Sequence, residues 1–386
     1  MTASLPLREM QRHLARRRPA MVRLLRALVE LESPTTEPPA VARLARFLAR
    51  EWRRRGARVR LLPQRSHGPI LRAELSLGRG RPRGQLLVLG HLDTVYPLGW
   101  LRRAPFRLRG GRANGPGTVD MKSGLVQALF AVDALRELNQ APAKKLVFLF
   151  TSDEETGSVA GRPLLEREAR RSDAVLVLEP SSGIQGALKT ARKGVGSFEL
   201  IVHGRAAHSG IEPEKGVNAI AELAEQLVRI RKFAKPRQGL TINANVVEGG
   251  TRSNVIADWA RAQIDVRVPR QRDARRIERQ MRALCPVDRR ARLEIRGGVD
   301  RPPLERTAQV ARLFRQAQRL AKEMGFRLEE SSTGGGSDGN FTAALGVPTL
   351  DGLGGVGGGA HTPGEFVVVR RLPERAALLA ALLLTL

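Results

Sequence analysis

The sequence predicts an α/β protein, in which a mostly parallel-sheet, three-layer domain carries a smaller inserted α+β domain. In the first half of the chain, short apolar runs alternate with stretches of helical periodicity, which is typical of a parallel sheet covered by helices. The pattern changes near Gly183, where strands of alternating polarity begin. With 386 residues, 42% of them hydrophobic, the chain is long enough for two domains with separate cores.

The chain begins with two predicted helices, Met10 to Leu31 and Val41 to Arg54, separated by the turn-rich segment SPTTEPP. Basic residues precede the apolar part of the first helix, but charged residues interrupt that part, so it does not have the form of a signal peptide. The longest apolar run, Ala376 to Leu384, is too short to span a bilayer. We therefore expect a soluble protein without a membrane segment.

Three apolar runs predict strands of one sheet: Leu86 to Leu89, Leu146 to Phe150 and Ala174 to Leu178. A helix is predicted between the first two, at Leu125 to Leu138. The Gly/Pro/Asn-rich passage Gly110 to Gly117 is predicted to be a loop. Strands that alternate with helices imply a largely parallel sheet with both faces covered.

Residues 183–298 are predicted to form the inserted domain, with two helices on an antiparallel sheet. The strands and helices in this stretch are Ser197 to His203, Val217 to Phe233 (helix), Thr241 to Val247, Gln263 to Val268 and Arg272 to Leu284 (helix). The larger domain then combines residues 1–182 with residues 299–386. In its second part, the predicted helix Thr307 to Met324 leads into a glycine-rich region.

The formal net charge of +28 raises the possibility of a nucleic-acid partner. Lysine and arginine are nevertheless spread along the whole chain, and the aromatic content of 4% leaves little for base stacking. We therefore expect a solvated basic exterior that attracts anionic substrates, and no nucleic-acid partner. Cys285 is the only cysteine, which excludes an internal disulfide and favours a cytoplasmic location.

Five candidate residues stand at or just after the carboxyl ends of the predicted strands: His91, Asp93, Glu154, Glu155 and Glu179. Asp120 opens a predicted helix beside them. Ligands of open α/β sheets bind at this edge, and acids gathered there need compensation that bound cations supply. Imidazole and carboxylate ligands without thiolate suit Zn²⁺, Mn²⁺ or Co²⁺. Taken singly, a histidine can be an ordinary core residue, and acids are often helix caps, turn residues or surface charges.

Five motifs follow one another along the chain: GHLDTV, GTVDMKSG, DEETGS, LEP and AHTPGEF. In this order they resemble the dinuclear zinc hydrolase family of glutamate carboxypeptidases, acetylornithine deacetylase and succinyl-diaminopimelate desuccinylase. The resemblance covers nearly the whole chain and is greatest to the glutamate carboxypeptidase-like members. It implies that the larger domain is catalytic and binds metal, and that the insert serves as a dimerisation and lid domain.

The resemblance also implies a ligand set for two divalent metal ions, with Zn²⁺ the leading candidate and Co²⁺ or Mn²⁺ as alternatives. His91 and Glu179 would bind the first ion, and Glu155 and His361 would bind the second. Asp120 would bridge both ions. The first and last of these ligands are separated by the entire predicted insert, so both ends of the chain must fold into one domain for the site to exist.

Two further residues receive catalytic roles from the resemblance. Asp93 would orient His91, as ligating histidines usually require. Glu154 would be the general base, which takes a proton from a metal-bridging water before its attack on an amide carbonyl. Adjacent side chains point in different directions, so one glutamate of the pair can bind metal while the other faces the water. The residues alone leave open which glutamate does which.

Within the insert, the segment GRAAHSG resembles the one whose histidine, here His208, reaches the active site of a partner subunit. His208 would there hydrogen-bond the developing oxyanion, which implies a homodimer. Without the resemblance, His208 is equally well interpreted as a surface histidine. The resemblance further implies substrate binding by Asn254 in GGTRSNVIAD and by Arg267 in IDVRV, whose guanidinium would bind a substrate carboxylate.

The segment STGGGSDGN is predicted to line the substrate cleft, where close backbone approach requires glycine. The resemblance implies that Gly334, Gly335 and Gly336 take part in substrate binding there. A phosphate-binding loop is excluded because no GK[ST] follows. The main hypothesis is a hydrolase that cleaves an amide or peptide bond next to a free carboxylate, in a small peptide or an N-acyl amino acid. The alternatives are a deacylase of acetylornithine or succinyl-diaminopimelate type and a basic nucleic-acid-binding protein on a metallohydrolase scaffold.

Overall fold

The computed structural model describes residues 6–78 and 80–386, so the first five residues of the predicted larger domain lie outside the described part of the chain. The chain forms two compact units. The first comprises the chain up to Ala191 together with Arg306–Thr333 and Ser337–Leu386. The second comprises Arg192–Glu305 and Gly334–Gly336. The first unit is therefore assembled from both ends of the chain.

Every helix predicted from apolar periodicity is present in one of the two units, with slightly shifted ends. The helices are α1 (Leu7–Glu30), α2 (Pro38–Arg54), α3 (Ser123–Glu137), α4 (Arg162–Ala169), α5 (Ala219–Arg231), α6 (Gln271–Arg282), α7 (Ala308–Glu323), α8 (Gly339–Ala344) and α9 (Leu372–Thr385). The strands are β1 (Arg58–Leu62), β2 (Ile70–Leu75), β3 (Gln85–His91), β4 (Arg107–Arg109), β5 (Arg112–Asn114), β6 (Lys145–Thr151), β7 (Ala174–Val177), β8 (Leu188–Arg192), β9 (Gly194–His203), β10 (Thr241–Gly249), β11 (Trp259–Val268), β12 (Arg292–Arg301), β13 (Glu330–Thr333), β14 (Thr349–Leu350), β15 (Gly357–Gly358) and β16 (Phe366–Val368).

The first unit contains a six-stranded sheet in the order β1-β2-β6-β3-β7-β14. Strands β6, β3, β7 and β14 are parallel to their neighbours in this group, whereas β1 and β2 pair antiparallel at one side. In the register, Leu89 stands between Leu149 and Val177, and His91 stands beside Thr151. The carboxyl ends of β6, β3 and β7 therefore meet at one edge, and the predicted parallel sheet is confirmed.

Both faces of this sheet are covered. Leu86 and Val88 belong to a core cluster that includes residues of α1, α2, α3, α7 and α9. Leu87 and Leu89 point to the other face, where they belong to a cluster with Leu165 of α4. Successive side chains of a strand point to opposite faces, so a strand buried on both sides reads as a continuous apolar run. This arrangement confirms the predicted three layers.

The apolar run near the C-terminus forms α9, which is buried almost all round. Its buried residues extend from Leu372 to Leu383, and it packs against α3 and α1. A helix without a polar face belongs in the core of a large unit. Within residues 6–78 and 80–386, no helix has the length and apolar character that crossing a membrane requires.

The predicted loop Gly110 to Gly117 contains regular structure, so that prediction was partly wrong. Strands β4 and β5 form a hairpin around Gly110 and Gly111, whose φ angles are 55° and 73°. Two consecutive residues with positive φ are what a tight hairpin turn needs, and glycine supplies them without steric cost. The hairpin continues through β16 to β15 and thereby reaches the segment that contains the last motif.

The second unit contains an antiparallel four-stranded sheet in the order β10-β11-β9-β12. Alternate residues of β11, such as Ile264 and Val266, are buried in a core with residues of α5 and α6, including Leu223 and Ile277. Their neighbours Asp265 and Arg267 lie on the opposite, less buried face. Two helices on one face of an antiparallel sheet confirm the fold class predicted for the insert.

The boundaries between the two units lie at Ala191/Arg192 and at Glu305/Arg306, several residues after the expected limits near 183 and 298. The reason lies in local pairing: β8 pairs with β13 of the first unit, and β12 extends to Arg301 beside β9. The tripeptide Gly334–Gly336 belongs to the second unit, although the sequence places it within the larger domain.

Candidate metal centre

Three of the predicted site residues lie at the edge where the parallel strands end. His91 is the last residue of β3, Glu155 lies in a single turn (Glu154–Thr156) shortly after β6, and Glu179 follows β7. These strands are parallel neighbours, so their carboxyl ends bring the three side chains to one place. The sheet therefore builds the site from segments that are distant in sequence.

A first group of potential ligands consists of His91, Asp120 and Glu179, whose ligand atoms all lie within 4.8 Å of one another. His91 Nε2 is 3.2 Å from Asp120 Oδ1 and 3.5 Å from Glu179 Oε1. His91 and Glu179 are buried. One imidazole nitrogen and two carboxylate oxygens that converge in this way form a donor set suited to Zn²⁺ or a similar divalent ion.

A second group consists of Asp120, Glu155 and His361, again with all ligand atoms within 4.8 Å. His361 Nε2 is 3.2 Å from Glu155 Oε2 and 3.5 Å from Asp120 Oδ2. His361 is half exposed and has a φ of 63°, a left-handed conformation that is uncommon for residues other than glycine. Such conformations cluster at functional sites.

Asp120 belongs to both groups, with one carboxylate oxygen facing each histidine. Its Oδ1 faces His91 and its Oδ2 faces His361. The residue lies in the turn Thr118–Lys122, directly before α3 and not within its first turn. The peptide bond between Asp120 and Met121 is cis. A carboxylate that offers one oxygen to each of two ligand groups has the arrangement that bridges two ions.

Asp93 holds two parts of the site together. His91 Nδ1 lies 2.9 Å from the backbone oxygen of Asp93 and 3.5 Å from its Oδ1. The carboxylate of Asp93 accepts hydrogen bonds from the backbone N–H groups of Glu154 and Glu155, at 3.3 and 3.2 Å, and from the Thr35 hydroxyl at 2.8 Å. Asp93 thus connects the histidine at the end of β3 to the glutamate turn after β6.

The pKa values of the ligand residues reflect an excess of negative charge. Burial acts to lower the pKa of His91. Hydrogen bonds to carboxylates, of which that to Asp120 is the largest contribution, outweigh burial and hold this pKa well above its ordinary value. Hydrogen bonds to Asp120 and Glu155 raise the pKa of His361 to about 10. Burial raises the pKa of the Glu155 carboxyl. The carboxylates of the site therefore favour positive charge beside them, which bound cations would supply.

Sequence reasoning overlooked two residues of the site, Glu365 and Tyr96. Glu365 is buried, and its carboxylate accepts backbone N–H groups from the Asp120 turn as well as the Tyr96 hydroxyl. Glu365 lies inside the motif AHTPGEF, and Tyr96 directly follows the motif GHLDTV. The signal that could have identified Glu365 was an acid next to an apolar strand, where only hydrogen bonding makes burial tolerable.

The glycine-rich segment before His361 is tied to the rest of the first unit by hydrogen bonds. The N–H of Gly354 donates to the backbone oxygen of Glu179 at 2.9 Å, and the N–H of Ser181 donates to Gly355 at 3.0 Å. The guanidinium of Arg375, fully buried on α9, donates to carbonyls of this segment, including that of Gly354 at 3.2 Å. The segment is therefore fastened to the strand end that carries Glu179.

The remaining predicted residues lie in the second unit. His208 is exposed, and its Nδ1 accepts the N–H of Gly210 at 3.1 Å. The segments of His208 and Asn254 are neighbours, since the N–H of Ser209 donates to the backbone oxygen of Asn254 at 3.1 Å. The structure therefore brings the histidine and the asparagine of the insert together on one surface of this unit.

Arg267 and the three glycines also have defined surroundings in the second unit. Arg267 forms a two-pronged pair with Asp265, with Nε and Nη2 at 3.0 and 2.9 Å from the carboxylate oxygens. Arg192, which is buried, donates to the carbonyls of Gly335 and Gly336 at 3.2 and 2.9 Å. Gly334 is exposed. An arginine thus holds the glycine segment through its backbone.

Known proteins resemble this chain in sequence and in fold. A family model described as peptidase family M20/M25/M40 matches residues 87–385. Carboxypeptidase G2 from Pseudomonas sp. (strain RS-16) is 31% identical over 374 residues, which cover 95% of this chain and 89% of that protein. Aminopeptidase PepT from Bacillus cereus ATCC 10987 has a similar structure, with a TM-score of 0.78 at 24% identity over 95% of this chain and 98% of that one. A dinuclear metal-binding peptidase of the M20 family from Bacillus subtilis has a TM-score of 0.71 at 16% identity, over 95% and 97% of the two chains.

Proposed function

The chain belongs to peptidase family M20/M25/M40, whose members hydrolyse peptide or amide bonds, and from this premise we propose that it cleaves such a bond next to a free carboxylate. The observation that carries the proposal is the pair of ligand groups that share Asp120. Glu154, beside the ligand Glu155, supplies a further carboxylate at the same edge of the sheet. The similarity to carboxypeptidase G2, an enzyme named for cleavage at a carboxyl terminus, supports a terminal carboxylate as part of the substrate.

The proposed cofactor is a pair of divalent metal ions, with Zn²⁺ as the leading candidate and Co²⁺ or Mn²⁺ as alternatives. The donor set fits such ions, since each group offers one imidazole nitrogen with carboxylate oxygens and contains no thiolate. The acids of the site raise the pKa of both histidines because negative charge stabilises a positive charge beside it. The same negative charge favours bound cations. Two ions at this place would lower the pKa of a bound water and polarise the carbonyl under attack.

We assign the role of general base to Glu154. The backbone of the glutamate turn is held by Asp93, which accepts the N–H groups of both Glu154 and Glu155. Successive side chains leave such a turn in different directions, so Glu155 can face His361 while Glu154 faces the water that attacks. Glu154 would take the proton of that water and later deliver it to the leaving nitrogen.

Substrate recognition is assigned to Asn254 and Arg267 of the second unit, with the segment Gly334–Gly336. The pair with Asp265 uses Nε and Nη2 of Arg267, so Nη1 is the guanidinium nitrogen that the pair leaves for a substrate carboxylate. A guanidinium fixed by one carboxylate is already oriented for a second, which lowers the entropy cost of binding. We propose that this arginine selects substrates with a free carboxylate.

We further propose that the protein is a homodimer and that His208 serves the active site of the partner subunit. The supporting observations are an exposed apolar surface and, within the described residues, a strand at the edge of its sheet. Strand β10 is the outer strand of its sheet, and Val246 and Val247 on it are 41% and 55% exposed. Ile220 and Val228 of α5 are exposed as well. Edge strands with apolar side chains favour pairing with another chain.

A panel of substrates tests the proposed reaction. The purified protein, stripped of metal and then supplied with Zn²⁺, Co²⁺ or Mn²⁺, is assayed on dipeptides, on N-acyl amino acids and on the same compounds with the carboxylate converted to an amide. We expect metal-dependent hydrolysis of the free acids, with kcat/KM at least tenfold lower for the amides. Equal hydrolysis of acids and amides would overturn the carboxylate requirement, and no hydrolysis with any ion would overturn the function.

The same panel separates the alternatives. Preference for acetylated or succinylated amino acids over dipeptides would favour a deacylase of the acetylornithine or succinyl-diaminopimelate type. Salt-sensitive DNA binding without metal-dependent hydrolysis would favour the nucleic-acid alternative, which the charge of +28 motivates. The proposal includes a cytoplasmic location, for which the single cysteine is the supporting observation.

A further inference from the structure

We propose that Glu365 is a positioning residue for the metal centre, which holds the Asp120 turn in register with the other ligand segments. The inference rests on the dinuclear site proposed above. Glu365 follows His361 in the last motif and is 1% exposed. A glutamate buried to this extent must have its carboxylate oxygens satisfied by hydrogen bonds, and the partners it uses define what it does.

The partners of Glu365 are the backbone N–H groups of the turn that carries Asp120. Its Oε1 accepts from Val119 at 2.8 Å and from Asp120 itself at 2.9 Å. Its Oε2 accepts from Gly117 at 2.8 Å. Three donors from one short turn converge on one carboxylate, so a displacement of that carboxylate displaces Asp120.

A further contact extends this arrangement to the loop after β3. The Tyr96 hydroxyl donates to Glu365 Oε2 at 2.6 Å and lies 3.0 Å from the carbonyl oxygen of Thr362, which follows His361. The backbone oxygen of Glu365 also accepts the N–H of Gly115 at 3.2 Å. Glu365 and Tyr96 therefore connect the segments that carry His91, Asp120 and His361.

A displacement of the Asp120 turn should change metal affinity, because Asp120 must offer one oxygen to each ligand group. Its Oδ1 and Oδ2 lie 3.2 and 3.5 Å from the two imidazole nitrogens, and a small rotation of the turn would favour one group over the other. Partners that orient metal ligands typically change metal affinity 10–100-fold when they are removed. We therefore expect Glu365 to set the affinity for the pair of ions.

The test compares Glu365→Gln with Glu222→Gln in the full-length protein. Glutamine keeps the shape of the side chain but replaces one acceptor oxygen by an NH₂ group, which would face an N–H or hydroxyl donor. Glu222 is a matched control, since it is also buried and accepts the backbone N–H groups of Val287 and Asp288, but it lies in the second unit. Co²⁺ is titrated into the metal-free proteins, and the bound ions and the visible Co²⁺ spectrum are recorded along with thermal unfolding.

We expect both variants to unfold at lower temperature, but only Glu365→Gln to bind the second ion roughly 10–100-fold more weakly with an altered Co²⁺ spectrum. Wild-type affinity and spectrum in Glu365→Gln would overturn the positioning role while leaving the metal centre intact. A wild-type protein that binds fewer than two ions would instead overturn the proposed function. If Glu365→Gln does not fold, Tyr96→Phe provides the test, because it removes one hydrogen-bond donor to Glu365. An unchanged Co²⁺ affinity and spectrum in Tyr96→Phe would then overturn the positioning role of Glu365.

Discussion

At the scale of single residues, the centre depends on Asp120, because it is the residue that both ligand groups share. The other potential ligands belong to one group each, His91 and Glu179 to the first and Glu155 and His361 to the second. Loss of Asp120 would therefore remove an oxygen from both groups, whereas loss of any other ligand affects one. Glu155 belongs to the second ligand group, whereas the role proposed for its neighbour Glu154 is that of the general base.

This difference predicts contrasting behaviour for two conservative substitutions. Glu154→Gln should retain both metal ions and lose roughly 10²–10⁴-fold in kcat, the usual contribution of a general base. Glu155→Gln should lose the second ion, because its Oε2 lies 3.2 Å from the Nε2 of His361 and belongs to that ligand group. Metal content per chain and kcat are measured on the same preparations. Unchanged activity in Glu154→Gln, or equal metal loss in both variants, would contradict the assignment.

The sequence predicted the residues that converge and, in Asp93, one residue that holds them, but it did not predict Glu365. His91, Glu155 and Glu179 follow apolar runs, and parallel strands carry such residues to one edge. Glu365 escaped prediction because its partners are backbone N–H groups some 250 residues away, at Gly117, Val119 and Asp120. Backbone donors have no signature in the side-chain sequence, so a residue that binds them is visible only once the chain is folded.

At the scale of elements, the glycine-rich segment before His361 is explained by close packing against the end of β7. A Cβ atom on Gly354 would lie 2.8 Å from the carbonyl carbon of Leu178 and 2.9 Å from the backbone oxygen of Glu179. Real Cβ atoms essentially never come so close, and the atoms they would meet here are backbone. The segment therefore needs glycine at this position to approach the strand end.

Gly354→Ala is therefore expected to displace the backbone that carries Glu179. We expect the free energy of unfolding to fall by about 1–3 kcal/mol, as is typical of overpacking, and the affinity for the first ion to fall as well. Gly358→Ala is the matched control, because its Cβ would meet only ring carbons of Phe366 at 3.4 and 3.6 Å. Chemical denaturation and metal titration measure both quantities. Equal stability of the two variants would show that the approach at Gly354 is not tight.

Helices and strands were predictable where burial gives their apolar residues one clear spacing along the sequence. They were missed where no such spacing exists. Helix α2 and strand β3 were found because their apolar residues recur at helical spacing or run without interruption. Strand β12 was missed, since its sequence RLEIRGGVDR is rich in charge and glycine, and pairing with β9 alone makes it a strand. The β4–β5 hairpin was missed because its exposed arginines carry no apolar pattern.

At the scale of the whole molecule, the site joins residues from His91 to His361 within one compact unit built from both ends of the chain. Helices α1 and α9, at opposite ends of the chain, pack against each other in its core. The positive net charge of +28 coexists with a buried cluster of acids at the ligand edge. The global charge therefore gives no indication of the local one, which is strongly negative.

Metal removal should consequently destabilise the protein as a whole. Ions that bind only the folded state stabilise it by about 2.7 kcal/mol at a free concentration of one hundred times their Kd. We expect the Tm to rise when Zn²⁺ or Co²⁺ is added to chelator-treated protein, and to rise less in His361→Ala, which lacks a ligand of the second group. Differential scanning calorimetry measures the shift. The same Tm with chelator and with excess metal would contradict a site for two ions.

The proposed exchange of His208 between subunits predicts that two inactive variants restore activity when they form a mixed dimer. Glu154→Gln and His208→Ala should each be nearly inactive, but a mixed dimer of the two would contain one site with both Glu154 and a histidine from its partner. Equal co-expression should therefore restore about a quarter of the wild-type rate, since half of the dimers are mixed and each has one complete site. Val247→Lys in both chains places a charge on the edge strand β10 and should abolish both the dimer and the rescue, as light scattering and kcat would report. A mixture as inactive as its components would place His208 in the active site of its own chain, and a fully active His208→Ala protein would place it outside catalysis.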